Sequence, residues 1–300
     1  MDYIISNWME LSGGLLLGLM VGMLTGIFGA GGGFIITPAL NIFLGVPMNL
    51  AVGTSACQVL GASGFSLLHH LDKRMKGLKV ALFIGIGIPL GSYLGTRVID
   101  NWKKLEPMVV MGKEVDALNL ILLGIFAVFL SLIAGWLLFD NFVLKRGKDD
   151  DETNHVGLLG DIKIPPLVTC ETIPHAPFSI PILVIIGIFM GFMSGLLGIG
   201  GGVIMMPLLF YIIGQETKYA TLTSTMLIFI SGLFATFFHA MHHNINYTLV
   251  AFLIIGSFFG TKTGVKIHKK ISGKSIRQYF AFVVLFAAIM VIYKIIRIFS

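Results

Sequence analysis

GIFGAGGG at residues 26–33 returns as GLLGIGGG at residues 195–202, each inside a long apolar stretch and each followed five residues later by proline, Pro38 and Pro207. A break in a hydrophobic helix frees amides and carbonyls, and the hydrocarbon core tolerates it only where the break is buried in protein or lines a polar cavity. Paired interruptions at matching places point to a transporter and to its binding site.

The composition sets the fold class. Apolar residues make up 56% of the 300 and charged residues only 12%. No Asp, Glu, Lys or Arg occurs across residues 11–71, several times the roughly 20 residues that one spanning helix needs. The chain reads as an all-α polytopic membrane protein. Its start carries Asp2 and Glu10 and no early Lys or Arg, so the first apolar segment lacks the basic flank of a cleaved signal and reads as retained. Cys57 and Cys170 give no disulfide framework, and Cys170, Glu171 and His175 lack a metal-ligand spacing. No cofactor is implied. The net charge of +6 lies mostly in loops, where it sets orientation and gives no reason to expect nucleic acid.

The glycine break belongs to a duplication. At a constant offset of 169, Gly18, Gly22, Gly26, Gly29, Pro38, Gly45, Ala51, Thr54, Ser55, Phe65 and His70 match Gly187, Gly191, Gly195, Gly198, Pro207, Gly214, Ala220, Thr223, Ser224, Phe234 and His239. Farther on the offset slips to 165, where GSYLGTR at 91–97 pairs with GSFFGTK at 256–262. The repeats therefore cover residues 1–142 and 179–300. Between them, residues 143–178 carry Lys145, Arg146, Lys148, an acidic run at 149–152 and Pro165-Pro166, the composition of a loop outside the membrane.

Each repeat holds five apolar pieces, 11–28, 34–44, 50–68, 78–99 and 117–139, mirrored by 180–197, 203–213, 219–238, 247–267 and 276–298. The second piece is short in both. Eleven residues cover only about 17 Å of a core about 30 Å thick, so it is expected to form a re-entrant hairpin with the piece before it, glycines at the tip. Loop charge then orients the halves. Lys73, Arg74, Lys76 and Lys79 are matched by a segment, 239–246, without Lys or Arg. In the next loop the bias reverses, with Lys266, Lys269, Lys270, Lys274 and Arg277 crowding the second repeat. Matching loops fall on opposite faces, so the expectation is two inverted repeats of five membrane-embedded segments. The 143–178 loop is then cytoplasmic and both ends lie outside, which Lys294 and Arg297 fit poorly.

The form G-x-G-G-G-x-x-x-x-P, a Thr-Ser pair about sixteen residues beyond it, and the repetition of both resemble the TauE/SafE family, the sulfite exporter or sulfonate permease group. The resemblance covers both halves and departs at the long charged middle loop. It implies a secondary transporter in a bacterial or archaeal inner membrane, moving sulfite, a sulfonate or a related small sulfur-containing anion.

The residues independently suit an anion. Half-helices beginning at Phe34 and Val203 would expose unpaired amides and a positive dipole end, and Gly31, Gly32, Gly33, Gly200, Gly201 and Gly202 let a ligand approach the backbone. Gly18, Gly22 and Gly26, like Gly187, Gly191 and Gly195, read instead as helix-packing stripes. Thr54, Ser55 and Gln58, with Thr223, Ser224 and Thr225, are candidates to donate to oxyanion oxygens; the competing reading is that their hydroxyls bond the preceding turn or another helix. Arg97 and Lys262 either steer anions or snorkel to the interface. His70 and His239 either relay protons or sit at the interface. No H-E-x-x-H, G-x-S-x-G or Walker-type loop occurs, so the chain is not expected to be an enzyme. An anion channel and a membrane scaffold remain the alternatives to a carrier.

Overall fold

A computed structural model describes residues 8–68, 77–110, 113–140, 164–169, 178–215 and 217–299. His70, Lys73, Arg74, Lys76, the acidic run at 149–152, Cys170, Glu171 and His175 lie outside the described residues.

Among the described residues ten α-helices follow the apolar pieces: α1 Trp8–Phe28, α2 Gly33–Phe43, α3 Met48–Leu68, α4 Leu78–Trp102, α5 Ala117–Leu138, α6 Ile180–Leu197, α7 Gly202–Pro207, α8 Thr217–Met241, α9 Tyr247–His268 and α10 Gly273–Phe299. Among the described residues seven helices are long and apolar enough to cross a membrane, while α2 is too short. The second short piece is not one helix. Pro207 ends α7, and a π-helical turn carries the chain over Leu208–Ile212, because proline donates no amide hydrogen bond and crowds the carbonyl a turn earlier. A feature the charge pattern did not foretell is a small hairpin between α4 and α5, β1 Met108–Val110 paired antiparallel with β2 Lys113–Val115.

Glycines decide which helices touch. A Cβ on Gly18, Gly22 or Gly26 of α1 would strike the backbone of Leu253, Ser257 or Thr261 on α9. On α4, Gly87, Gly91 and Gly95 meet the α6 backbone at Val184, Ile188 and Phe192 in the same way. Backbone-to-backbone approach of this kind is the small-xxx-small packing the stripes predicted, in which dispersion stands in for the missing hydrophobic drive. The register also gives direction. Contact positions rise together along α1 and α9 and along α4 and α6, so each pair runs parallel. Helix α4 also runs parallel to α8, with Gly77 against Thr223, Gly85 against Ile230 and the Tyr93 ring 5.5 Å from that of Phe238. Helices α3 and α8 cross antiparallel, with Leu60 against Gly232 and Gly64 against Phe229.

The stripes should therefore be intolerant of any side chain. Gly22→Val places its Cβ against the Ser257 backbone, and overpacking of this kind costs about 1–3 kcal/mol or more. Thermal unfolding of the detergent-purified variant should show a lower midpoint and a lower folded yield; an unchanged midpoint would contradict the close approach of α1 and α9.

Candidate functional site

The two glycine tips adopt one backbone path. Gly29, Gly31 and Gly32 have φ of 61°, 73° and 62°, and Gly198, Gly200 and Gly201 have 66°, 64° and 72°. An L side chain disfavours this left-handed region by about 1–2 kcal/mol per residue. Gly32 and Gly201 each cap the following helix by accepting from two amides, those of Ile35 and Ile36 in one half and of Ile204 and Met205 in the other.

The tips meet. Gly33 lies against Gly198 and Ile199, and Gly202 against Ala30. Val59 of α3 and Ile228 of α8, which are counterparts in the duplication, close over Gly31 and Gly200. The residues of both tips are buried.

Every break frees carbonyls behind it and amides ahead of it, and the protein treats the two sets differently. The carbonyls receive donors. Ser224 Oγ donates to Gly29 O at 2.7 Å and Ser55 Oγ to Gly198 O at 3.0 Å, each hydroxyl reaching the tip of the other half. His268 Nδ1 donates to Ile27 O at 2.7 Å and His239 Nε2 to Gly195 O at 2.9 Å. Thr37 donates to Leu197 O at 3.1 Å and Ser231 to Gly200 O at 2.6 Å. The amides do not receive acceptors. Among the described residues the N–H groups of Gly31, Gly32, Gly33 and Phe34, and of Gly200, Gly201 and Val203, have no backbone acceptor, and Gly202 has only a 3.5 Å bond to Ile199 O. Two buried clusters of unpaired donors at helix starts favour an anion over a cation.

The other candidates sort by position. Thr54 Oγ1 accepts the Asn246 amide at 3.1 Å, and Thr223 Oγ1 accepts Gln215 Nε2 at 3.0 Å beside Gly77. Thr54 thus bonds the other half at the start of α9, whereas Thr223 bonds within its own half and lies against Gly77 at the start of α4. Thr225 bonds back to Thr221 O at 2.8 Å. Gln58 Nε2 donates to Ser257 Oγ at 2.7 Å, which donates to Gly18 O at 3.1 Å, tying α3 and α9 to α1. Arg97 is exposed and donates to Tyr93 OH at 3.0 Å, and Lys262 is exposed on α9; neither reaches the tips. His239 is fully buried. His268 and Thr37, which sequence reasoning did not single out, join the set because each reaches a carbonyl of the other repeat. No local signal marks them, since the carbonyls they meet are 241 and 160 residues away. Among the described residues no cluster of His, Cys, Asp and Glu fits a metal ion.

Residues 14–291 match the pattern of the family described as Sulfite exporter TauE/SafE. A probable membrane transporter protein, YunE of Bacillus subtilis, is 25% identical over 93% of this chain and 96% of its own length. A probable membrane transporter of Methanocaldococcus jannaschii is 27% identical over 88% of each, and one of Xylella fastidiosa is 25% identical over 92% and 93%. No solved structure matches.

The tips give a graded test by alanine. A Cβ on Gly201 meets only the mobile end of Met190, whereas one on Gly202 strikes the Ala30 carbonyl. Gly201→Ala should cost about 1–2 kcal/mol, the left-handed penalty alone, and Gly202→Ala clearly more. Unfolding midpoints decide it, and a reversed order would contradict the tip-to-tip contact. Ser55→Ala and Ser224→Ala should each cost about 1–3 kcal/mol by orphaning a buried carbonyl, and by similar amounts; a loss confined to one of the two would show that the halves do not brace each other.

Proposed function

The chain belongs to the sulfite exporter TauE/SafE family, and from that premise and the site geometry we propose that it is a secondary transporter which carries a small sulfur-containing anion, such as sulfite or a sulfonate, through a midplane site between the two glycine tips. The observation that carries this reading is the asymmetry of the breaks. Freed carbonyls are bonded by hydroxyl and imidazole donors, while the amides at 31–34 and of Gly200, Gly201 and Val203 are left without backbone acceptors and that of Gly202 has only a 3.5 Å bond to Ile199 O. Such a junction suits an oxyanion and offers a cation nothing. The site stays electrically neutral apart from helix dipoles, which favours release as well as capture.

Two inverted repeats with re-entrant hairpins explain how one site serves both faces. Helix directions support them. Helices α8 and α9 are joined by a tight turn in which Asn244 N–H bonds His239 O, so they run oppositely; α1 follows α9, and α6 follows α4 and α8. The first helices of the two repeats are thereby opposed. In this arrangement α1–α2 enters from outside and α6–α7 from the cytoplasm, and the tips touch at mid-depth. Lys103 Nζ lies 3.4 Å from His242 O, which suits a shared outer face. Ser55 and Ser224 serve as positioning residues that brace the opposite tip, and Thr54 ties α3 to the start of α9 in the other half. The Val59–Ile228 closure favours a carrier, which occludes its cargo, over an open anion pore.

Proteoliposomes loaded with sulfite should release it saturably through the wild type. Folded Gly201→Ala should be slower by about tenfold or more, because alanine resists the left-handed turn that aims the amides. Normal flux through the folded variant would leave the tips purely structural. In a cysteine-free background, His243→Cys should react with an impermeant thiol reagent on intact cells and Lys270→Cys only after permeabilisation. Reaction of both from outside would defeat the inverted arrangement.

A further inference from the structure

We infer that the exposed face of α9 binds an anionic phospholipid, with Lys262 and Lys266 holding the headgroup phosphate and Phe258 and Phe259 meeting its acyl chains. The glycines of α9 set the orientation. Gly256, Gly260 and Gly264 press against the α1 backbone at Leu15, Leu19 and Met23. The helical period then puts Ile255, Phe258, Phe259, Lys262 and Lys266 on the opposite side, and all five are exposed. That face is divided along its length. Its apolar part ends at Phe259, and Lys262 begins a basic part that Lys266 continues and that Lys269 and Lys270 extend past the end of the helix.

Depth and charge both suit a lipid. Helix α9 ends at His268, so the backbone at Lys262 and Lys266 lies about 9 and 3 Å below that end, and at Phe258 and Phe259 about 14 Å below it. A lysine stem reaches over such distances to deliver its ammonium to headgroup level, while the rings stay among acyl chains. Among the described residues none of Lys262, Lys266, Lys269 and Lys270 forms an ion pair. Like charges four residues apart on a helix repel, and a phosphate between Lys262 and Lys266 relieves that repulsion. A small soluble anion would use only the basic half of the face. A phospholipid covers both halves.

The duplication supplies a contrast. At the offset of 165, Lys262 and Lys266 answer to Arg97 and Asn101 of α4. Arg97 turns onto its own helix, donating to Tyr93 OH at 3.0 Å with its guanidinium 5.8 Å from the ring centroid. Lys103 pairs with Asp100 at 3.3 Å. The matched face of α4 thus spends its cations within the protein, whereas that of α9 presents two of them one turn apart. A lipid held there also steadies the first tip, because the last residue of α9, His268, carries the Nδ1 that lies 2.7 Å from Ile27 O. Assignment to the cytoplasmic leaflet rests on the inverted arrangement proposed above; the lipid site itself rests on the α9 face.

Native mass spectrometry of the detergent-purified full-length chain, titrated with phosphatidylglycerol or with phosphatidylcholine of the same acyl chains, tests it. The wild type should hold phosphatidylglycerol severalfold more tightly. Each lysine beside an anionic headgroup is worth about fivefold in affinity. The double variant Lys262→Gln, Lys266→Gln should therefore weaken phosphatidylglycerol by roughly ten- to thirtyfold and leave phosphatidylcholine unchanged, and Arg97→Gln should alter neither. Equal retention of the two lipids by the wild type, or undiminished phosphatidylglycerol binding by the double variant, would overturn the site. Displacement of phosphatidylglycerol by equimolar inorganic phosphate would assign the lysines to a soluble anion and overturn the lipid reading. Should the double variant fail to fold, Lys266→Gln alone decides, with a loss of about fivefold expected and no loss overturning the site. Lysine-dependent lipid binding in a protein that moves no anion in proteoliposomes would keep this site and sink the transport reading; normal flux without lipid preference would do the reverse.

Discussion

A helix interrupted inside hydrocarbon leaves carbonyls on one side of the gap and amides on the other, with no water to take either. Most of this molecule's architecture answers that constraint. The glycine stripes let α9 lie backbone to backbone on α1, and only at that distance can His268 reach Ile27 O. The antiparallel crossing of α3 and α8 puts Ser55 and Ser224 within reach of the opposite tips. Close packing and the glycine junction are thus one design: the helices approach so that side-chain donors can fill the carbonyls, and the amides ahead of the breaks are left almost without backbone acceptors.

The repeats share a scaffold and differ in detail. Val59 and Ile228, and Ser55 and Ser224, keep matched places and matched contacts, whereas Thr54 bonds Asn246 of the other half and Thr223 bonds Gln215 of its own. Ser231 bonds Gly200 O where its counterpart Ala62 has no hydroxyl, Gln58 bonds Ser257 where its counterpart is Leu227, and Phe210 faces Arg277 where Asn41 meets Asn119. For a carrier with a pseudo-twofold arrangement, such differences set unequal energies for the inward- and outward-open states, and a ligand then shifts the balance by its differential affinity.

The helices and the tips were legible in the sequence because both are written locally. Apolar length fixes the spans: residues 117–139 were expected and Ala117–Leu138 is found, and the helices break at the glycines between Phe28 and Gly33. What escaped is written across distance. Nothing near Thr54 announces the Asn246 amide 192 residues on, so the sequence left its hydroxyl open between donating to cargo and bonding another helix, and in the structure it accepts from the start of α9. His239 looked interfacial by its place near a span end, yet it is buried against Gly195 O. Arg277 looked like one more loop cation because burial of a charge depends on which ring lies above it. Residues 203–213 read as one helix because the π-helical turn after Pro207 leaves the apolar pattern intact.

The central claim is that the unpaired amides of the two tips hold the transported anion. Selenite, which presents the oxyanion geometry of sulfite with a heavier central atom, offers the most direct measurement: an anomalous-scattering map of the protein crystallised with it. The account predicts a selenium peak between the tips, within hydrogen-bonding reach of the amides at 31–34 or 200–203. Selenium bound elsewhere in the membrane-spanning region, with the tips still packed against each other, would contradict it.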